Sequence, residues 1–290
     1  MDGVFNVLKP PNMTSHDVVA FLRRALATKK IGHGGTLDPD AAGVLPVFAG
    51  SATRLLEFAV EGQKEYLVEL TFGKRTDTGD DSGSVVEELP VPSLTEAQVL
   101  LALDKFKGPQ MQVPPMYSAL KVEGKKLYEL ARKGIEVERE ARPIEIFKLE
   151  LKALLGNKLT LAIECSKGTY IRVLVEDIAK ALGTCGTMSF LLRTQVGQYL
   201  INDAHTLQEI AADPEECKGE LLGAVSHLPK VQLSAKQAMR ITNGVKTTLR
   251  GLQAGRYVLL GPENEFLGLG ICQEEMMQAD KILQHYQANE

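Results

Sequence analysis

The stretch KEYLVELTF at residues 64–72 decides the fold class, because aromatic and aliphatic residues recur at every second position. Successive side chains of an extended chain point to opposite faces, so one face collects Tyr66, Val68, Leu70 and Phe72. A period of two, with Glu and Thr on the other face, is typical of a strand that covers a core on one side. The stretch therefore predicts a β-strand with Tyr66 directed toward the apolar side.

Further strands and helices follow this strand in blocks. Residues 144–151 and 159–165 have strand patterns, residues 166–183 contain a turn and a helix that ends at Gly183, and another strand is predicted at 191–196. Strict alternation of strands and helices is absent. This order indicates an α+β fold in preference to a doubly wound one.

The N-terminal part predicts a strand, a helix and an irregular loop. A strand at residues 4–8 leads through a Lys-Pro-Pro turn into an amphipathic helix with Thr14 or Ser15 as its N-cap. The segment GHGGTLDPDAAGVLP (32–46) holds four glycines and two prolines, too many for regular structure. Farther along, residues 93–96 have the pattern of a capping box and predict a helix that ends near Lys107.

The pattern changes again after residue 228, where the units become short. A capping box at residues 234–237 opens a short helix, and strands are predicted at 256–260 and 265–271. We therefore predict a main domain at residues 1–228 and a small β-rich domain at residues 229–290.

Composition is that of an ordinary folded protein, since 44% of the 290 residues are hydrophobic and 24% are charged. No apolar run approaches the roughly 20 residues needed to span a bilayer, and the N-terminus lacks a basic segment followed by an apolar stretch. We expect a cytoplasmic protein with no membrane partner. The cysteines have neither the spacing nor the nearby His of a zinc site, so we expect reduced, buried thiols and no metal at Cys165, Cys185, Cys217 and Cys272.

The charge is unevenly distributed along the chain. The net charge of −4 argues mildly against a nucleic-acid partner, because phosphate binding depends on Lys and Arg. Within a proline-containing insertion at 108–142, however, residues 121–134 are strongly basic, whereas the charged residues of 261–290 are mostly acidic. On charge alone, a solvated helix face explains the basic run better than RNA contact does.

The loop at residues 32–46 is the best candidate for chemistry. The chain has no P-loop and no G-x-S-x-G motif, so neither a nucleotide cofactor nor a serine hydrolase is indicated. Asp38 stands next to Pro39 between glycines, and such a backbone of fixed shape suits a nucleophile or a general base. For an arbitrary Asp-Pro pair, a turn in which the carboxylate bonds its own backbone is the simpler interpretation.

Five segments of the chain, in order and spacing, resemble the successive motifs of bacterial tRNA pseudouridine-55 synthases, members of the TruB family of pseudouridine synthases. They are LKPPNMTSHDVV (8–19), GHGGTLDPDAAGVLPV (32–47), KEYLVELTFGKRTDTGDDSG (64–83), VPPMYSALKVEGKKLYELAR (113–132) and CSKGTYIRVLVEDIAKALG (165–183). The loop with the pattern G-x-L-D-P is especially diagnostic. The resemblance covers nearly the whole chain.

The resemblance implies a fold and an activity. The fold is a central mixed or antiparallel sheet flanked by helices, with a PUA-like RNA-binding domain at the C-terminus. The activity is isomerisation of uridine to pseudouridine at position 55 in the T-arm loop of tRNA, without cofactor or metal. The implied partner is tRNA, and the chain is expected to act as a monomer without an obligatory protein or guide RNA.

The resemblance also implies three catalytic residues. Asp38 matches the essential aspartate, Arg172 the arginine that pairs with it, and Tyr66 the aromatic residue that stacks on the target base. A nearby cation lowers the pKa of a carboxyl group, whereas a dry site raises it. We expect Arg172 to keep Asp38 ionised. The carboxylate then attacks the sugar, adds to the uracil ring or assists formation of a glycal, the last being the most attractive route.

Further residues are implied to serve RNA binding. His33 matches a loop histidine that takes part in distorting the RNA, Leu192 an apolar residue of the pocket, and Lys9, with Pro10, a motif that packs beside the active site. The family's matching insertion is a mobile element that closes over the T-arm. Its basic side chains are expected to contact phosphates: Lys125, Lys126, Arg132 and Lys133.

Three departures from the family pattern are visible, the first being a short, acidic C-terminal domain, from which we expect a slight contribution to binding. Asn12 stands where glycine is common, and Asn tolerates the positive φ of such a turn. The loop also has an extra glycine, at Gly34-Gly35, which bears on how rigidly His33 is placed.

Three other functions compete with the synthase. They are a noncatalytic RNA-binding or RNA-folding protein on the same scaffold, a sugar-processing hydrolase that uses Asp38 with Asp40, and a member of the guide-RNA-directed branch of the superfamily. Together, Asp38, Tyr66 and Arg172 argue against a noncatalytic protein. The bacterial-type motifs favour standalone action over an assembly.

Overall fold

The computed structural model describes residues 1–59, 62–122 and 124–287. The first half of the chain contains β1 (Gly3–Lys9), α1 (Ser15–Ala25), β2 (Ile31–His33), β3 (Ala42–Ala49), α2 (Leu56–Ala59), β4 (Lys64–Phe72), β5 (Lys74–Thr76), β6 (Val85–Glu88), α3 (Glu96–Asp104), β7 (Gly108–Gln112), β8 (Lys121–Val122), β9 (Lys125–Lys126) and α4 (Leu127–Ala131). The second half contains β10 (Arg142–Leu155), β11 (Lys158–Cys165), α5 (Ile171–Ala181), β12 (Gly186–Val196), β13 (Tyr199–Leu200), α6 (Leu207–Ala212), β14 (Lys218–Gly219), β15 (Lys230–Gln232), α7 (Ala235–Thr242), β16 (Thr247–Thr248), β17 (Gly255–Leu260), β18 (Phe266–Gln273) and β19 (Met276–Ile282). Short 3-10 helices lie at Gly50–Leu55, Ile201–Asp203 and Gly223–Val225.

One large mixed sheet organises the molecule. Its order is β14-β1-β3-β12-β4-β11-β10-β7, with β2 beside β3 and β13 beside β12. Strands β3 and β12 run parallel, and the other neighbours in this sheet are antiparallel. The predicted α+β fold with a central mixed sheet is confirmed.

Strand β4 lies near the middle of this sheet, between β12 and β11, as its alternation predicts. Val68, Leu70 and Phe72 are buried on one face and join a core that includes residues of α5. Helix α5 begins after Tyr170 and presents Leu174, Val175 and Ile178 to the same core. Its predicted end is confirmed, since Gly183 has a φ of 83°, in the region that favours glycine.

Three local expectations need correction. Helix α3 is capped two residues later than predicted, because the Thr95 hydroxyl accepts the N–H of Gln98 and the Gln98 side chain accepts the N–H of Thr95. The segment 32–46 is less irregular than expected, since its ends belong to β2 and β3 and only residues 34–41 form the loop. The strand predicted at 191–196 begins earlier, at Gly186.

Other local expectations are confirmed. Thr14 is the N-cap of α1 and Ser234 that of α7, each with a complete capping box. Asn12 has a φ of 64°, in the left-handed region that it was expected to tolerate. All four cysteines are buried and free.

The C-terminal part forms a second, five-stranded sheet in the order β15-β17-β18-β19-β16. Two of its strands, β17 and β18, were predicted, and the other three, β15, β16 and β19, were not. Side chains of this sheet, such as Val258 and Leu269, share a hydrophobic cluster with Phe48 and Phe58 of the main domain. The Arg256 guanidinium lies 4.5 Å from the ring centroid of Phe58. The β-rich unit is therefore packed onto the main domain through a common core, and the boundary at residue 228 stays a prediction.

Across the described ranges, none of the helices combines the length and apolar character that crossing a membrane requires.

Candidate active site

The Asp38 loop at residues 34–41 joins β2 to β3 and is held by side chains from three other elements. Ser15, at the start of α1, donates to the carbonyl oxygen of Leu37 at 3.2 Å and accepts the N–H of Leu37 at 3.0 Å. Leu37 itself is buried in the main core. The residue that precedes Asp38 is thus fixed on both its backbone and its side chain.

Arg193 of β12, which is 1% exposed, binds the backbone of the loop from the protein interior. Its guanidinium donates to the carbonyl oxygens of Gly35 at 3.0 Å, Thr36 at 3.4 Å and Val44 at 2.8 Å. These three carbonyls otherwise face the protein interior, where an unpaired polar group is costly. Arg193 therefore stabilises the path of the loop and does not touch the cavity surface.

Gly43 allows β3 to approach β12 at this point. Its φ is 113°, and a Cβ there would come within 2.2 Å of the carbonyl oxygen of Arg193. No side chain fits in that space. Gly43 thus permits close contact between β3, which follows the Asp38 loop, and the part of β12 that carries Arg193.

Lys9 holds the other end of the loop. Its buried ammonium donates to the carbonyl oxygens of Pro39 at 2.9 Å, Pro10 at 2.8 Å and Met13. Burial lowers the pKa of Lys9 to about 8, and the nearby Asp40 and Asp38 oppose that effect. The donors of Lys9 are thus engaged inside the protein, and Lys9 packs beside the Asp38 loop, as the motif with Pro10 implies. A role of Lys9 in RNA binding stays a prediction.

Asp38 and Arg172 form a two-point ion pair. Arg172 Nε lies 3.0 Å from Asp38 Oδ2, and Arg172 Nη2 lies 3.2 Å from Asp38 Oδ1. The guanidinium also donates to the carbonyl oxygens of Thr78 at 2.7 Å and Tyr117 at 2.8 Å. Because α5 begins at Ile171, the arginine stands in the first turn of the helix and its side chain is 7% exposed. The turn before α5 thus directs the Arg172 side chain into the protein, toward Asp38.

Asp80 completes the charged group and was not identified from the sequence. Its Oδ2 lies 3.7 Å from Arg172 Nη1, and its Oδ1 accepts the hydroxyl of Thr78 at 2.7 Å. Ser82 donates to the same oxygen through its N–H and its hydroxyl. Two adjacent aspartates in the polar turn TDTGDDSG mark it as a candidate functional segment, but nothing in the local sequence indicates that Asp80 faces Arg172.

Burial and Arg172 act on the Asp38 carboxyl in opposite directions. Burial raises the pKa of the Asp38 carboxyl above its usual value, Asp80 adds to the rise, and the charge of Arg172 lowers it. The net direction is upward. Arg172 therefore reduces the cost of ionising Asp38 without bringing its pKa below that of an exposed aspartate.

Tyr66 belongs to the core and to the site at once. It is buried with Leu37 and Val68, and it lies opposite Arg193 in the pairing of β4 with β12. Burial raises the pKa of the Tyr66 phenol to about 12, and Arg193 opposes that effect. The Tyr66 phenol is therefore neutral at physiological pH. The neighbouring Leu192 is half-buried.

A cavity of about 180 Å³ opens beside Asp38 and also has Asp40, Asp80 and Asp81 in its wall. Its apolar wall comes from β12 and includes Met188, Phe190 and Leu191. Asp38 is thus accessible from outside through a space of strongly acidic character, and its carboxylate, unlike the Arg193 guanidinium, is in contact with that space.

His33 ends β2 at the entrance to the loop, 5.5 Å from His16 between ring centroids in an edge-on arrangement. Burial lowers the pKa of His33, and the charges of His16 and Arg193 lower it further. The imidazole is therefore held in its neutral form at physiological pH.

The basic segment forms the hairpin β8–β9 and the helix α4. The Lys126 ammonium and the Arg132 guanidinium lie 5.4 and 5.5 Å from the ring centroid of Tyr128, and Lys125 and Lys133 are exposed. Tyr117, which precedes the segment in the chain, accepts a hydrogen bond from Arg172 through its carbonyl oxygen. None of the four basic residues lines the cavity beside Asp38, and their contact with RNA stays a prediction.

In the part of the chain that the structure describes, no group of three or more His, Cys, Asp or Glu side chains has the arrangement of a metal site.

Comparison with known proteins identifies the family. Residues 23–171 match the family model described as TruB family pseudouridylate synthase (N terminal domain), and residues 172–228 match that described as tRNA pseudouridylate synthase B C-terminal domain. The tRNA pseudouridine synthase B of Caldanaerobacter subterraneus subsp. tengcongensis is 45% identical over 97% of this chain and 99% of its own length. That of Symbiobacterium thermophilum is 49% identical over 86% of this chain and 84% of its own length.

Solved structures agree with this assignment. A Cbf5-Nop10-Gar1 complex contains a chain that superposes with a TM-score of 0.75 and 26% identity, covering 97% of this chain and 85% of that one. Since the family model and the relatives extend over the loop, the ion pair and the basic segment described above, the chain belongs to the TruB family of pseudouridylate synthases.

Proposed function

We propose that the protein isomerises uridine to pseudouridine at position 55 in the T-arm loop of tRNA, with Asp38 as the catalytic carboxylate. The observation that carries the proposal is the two-point pair between Asp38 and Arg172, in a loop fixed by Ser15, Lys9 and Arg193. Such fixation suits a group that must meet one sugar carbon, because catalysis depends on preorganised geometry. Membership of the TruB family supports the same reaction.

The reaction balances without any added reagent. The bond between the sugar carbon C1′ and the uracil N1 breaks, a bond between C1′ and the uracil C5 forms, C5 loses its hydrogen and N1 gains one. An ionised Asp38 can serve as a nucleophile toward C1′ or the uracil ring, or assist removal of a sugar proton to give a glycal. We favour the glycal route. In each case the carboxylate must be deprotonated when the substrate binds.

The base must leave the folded RNA before it reaches Asp38. Extrusion costs a few kcal/mol, and stacking on an aromatic ring returns roughly 1–3 kcal/mol. We assign the stacking to Tyr66, the apolar side of the pocket to Leu192, and the distortion of the RNA at the vacated stack to His33. The neutral imidazole of His33 suits insertion between bases, because no charge has to be desolvated.

The direct test is to incubate the purified chain, alone, with an unmodified tRNA transcript and to map pseudouridine by position. We expect modification at position 55 without any added protein or guide RNA. Pseudouridine at another position would refute the site, and release of free uracil would identify a hydrolase. A requirement for a second protein would place the chain with the assemblies to which Cbf5 belongs.

The raised pKa of Asp38 predicts an unusual pH dependence. Only the ionised carboxylate reacts, so kcat/KM falls as the pH drops through the pKa of Asp38 in the free enzyme. Because burial raises that pKa, the loss begins at a pH clearly above the range in which an exposed aspartate titrates, near 4. Single-turnover rates between pH 4.5 and 8, with the Kd for tRNA measured in parallel, test this. A rate that stays constant down to the lowest pH would contradict it.

The basic segment predicts a salt-sensitive contribution to tRNA binding. We expect replacement of Lys125, Lys126, Arg132 and Lys133 by Gln to weaken tRNA binding about tenfold or more at low salt. The slope of log affinity against log salt should also become shallower, by about 0.7–0.9 for each phosphate contact that is lost.

Lys148 and Lys152, which pair with Glu150 on β10, provide a control for the overall charge. Their replacement by Gln should leave the salt dependence close to that of the unmodified protein. If the fourfold variant and the control behave alike, the segment does not contact phosphates.

A further inference from the structure

Lys64 is a lysine at the active site to which the proposed reaction gives no role. It opens β4 and lies on the same face of that strand as Tyr66, two residues away. Its side chain is half-buried. Among the described residues it forms neither an ion pair nor a hydrogen bond, so its ammonium is not occupied in the way that of Lys9 is.

The Lys64 ammonium lies against the Asp38 loop. A Cβ built on Gly35 would be 3.6 Å from Lys64 Nζ and 3.7 Å from Arg193 Nη1, so that the two cationic groups flank the same α-carbon. Gly35 has a φ of 93° and leaves this space open. The ammonium therefore stands at the edge of the site, between the loop and Tyr66.

The surroundings of Lys64 are positively charged. The charged and titratable groups that face it are Arg193 from β12, Cys165 from β11 and Lys167 from the turn after β11. Within the ranges that the structure describes, none of these is a carboxylate. Burial, aided by the charge of Arg193, lowers the pKa of Lys64 to about 8. Lys64 and Arg193 are two positive groups held close together, and Lys64 does not line the acidic cavity. This arrangement favours an anion as ligand.

We propose that Lys64 binds a backbone phosphate of the extruded nucleotide, with the buried Arg193 adding to the positive potential of this subsite. The inference rests on the proposed function. A base that stacks on Tyr66 brings its own phosphodiesters close to the start of β4, where Lys64 attracts them, whereas the carboxylates that line the cavity beside Asp38 repel them. The subsite thus fixes which way the nucleotide enters: phosphate toward β4 and base toward the core.

The test measures the Kd of a T-arm stem-loop RNA in the Asp38→Asn background, in which the substrate is not consumed. We expect Lys64→Met to weaken binding about tenfold at pH 7, the size of one charge-assisted contact. Two further RNAs each carry a neutral methylphosphonate in place of one of the two phosphates that flank the target uridine, and one of them should bind the parent protein more weakly by a similar factor. With that RNA, Lys64→Met should cause no further loss.

The pH dependence separates binding from a structural role. Affinity of the parent protein should fall as the pH rises through about 8, because the ammonium loses its proton. Lys64→Arg should keep the affinity and lose that dependence, since a guanidinium stays protonated. Lys9 also has a pKa of about 8, but it is unchanged in every variant. Any pH dependence of the Kd that remains in Lys64→Arg is therefore assigned to Lys9.

Lys158→Met is the matched control. This lysine lies on β11, beside the far end of β4, and pairs with Glu69 at 2.7 Å. We expect no change in Kd. The inference is overturned if Lys64→Met binds as tightly as the parent, or if it loses the same factor with the native and with both methylphosphonate RNAs.

Failure of the proposed function is detected separately. Wild-type protein is assayed for pseudouridine in the same RNA, and absence of product would refute the proposed reaction. Product formation together with an unchanged Kd for Lys64→Met would refute the phosphate subsite alone.

Discussion

Replacement of Asp38 by Asn should abolish pseudouridine formation, with a loss of about 10⁴-fold or more in the single-turnover rate. The amide has nearly the shape of the carboxylate, but it carries no negative charge and is a poor nucleophile and base. Arg172 keeps hydrogen bonds to the carbonyls of Thr78 and Tyr117 and its contact with Asp80, so the pocket should stay assembled. Release of tritium from uridine labelled at C5 measures the rate directly.

Binding of tRNA supplies the control for this variant. Removal of a negative charge from an acidic cavity should leave the Kd unchanged or slightly lower. The free energy of unfolding should change little, because a charged group that is costly to bury is removed together with one ion pair. A variant that binds tRNA normally and still forms product at more than about 1% of the wild-type rate would exclude Asp38 as the catalytic group.

Replacement of Arg193 by Met should cause the largest loss of stability, about 3–5 kcal/mol in the free energy of unfolding. A buried ion pair can often be replaced by apolar residues without harm, because both partners are exchanged. Arg193 also interacts with the Tyr66 phenol, but three of its partners are the backbone carbonyls of Gly35, Thr36 and Val44, which no substitution removes. Met would fill the volume and leave three acceptors without a donor.

Urea unfolding measures this effect, and Arg75→Met is the matched control. Arg75 pairs with Glu87 in the partly exposed hairpin of β5 and β6. Loss of such a surface pair costs less than about 1 kcal/mol. Arg193→Lys should fall between the two, because one ammonium cannot reach all three carbonyls. If Arg193→Met and Arg75→Met were equally stable, the carbonyls would have other donors and the loop would not depend on Arg193.

The two arginines of the site thus have different tasks. Arg172 touches Asp38 and bears on its charge, whereas Arg193 touches the backbone before Asp38 and bears on its position. Variants of Arg172 should therefore move the pH profile of the reaction, and variants of Arg193 should first affect folding. The raised pKa of Asp38 adds a reason for fixing the loop, since a mobile carboxylate would escape into water and lose its reactivity.

Local sequence was sufficient for the elements whose cause is local. The alternation of residues 64–72 predicted the strand β4, and the N-cap residues at 14–15 and the capping box at 234–237 predicted the starts of two helices. The capping box predicted at 93–96 was misplaced, because two overlapping patterns, from Ser93 to Glu96 and from Thr95 to Gln98, fit the same rule. Asp38 and Arg172 were selected as catalytic residues through the resemblance to the family's motifs, and the structure brings the two side chains into contact.

Contacts between distant segments were decided by the tertiary structure alone. Arg193 looks like a polar residue in an apolar strand, and only the parallel pairing of β12 with β3 brings it under the Asp38 loop. Asp80 looks like one of several turn residues until it meets Arg172. The direction of the Asp38 pKa likewise depends on how much water the folded chain removes. The sequence by itself determined which residues carry charge and predicted the strands with the clearest patterns; burial and long-range pairing, which no local pattern encodes, decided what those charges do.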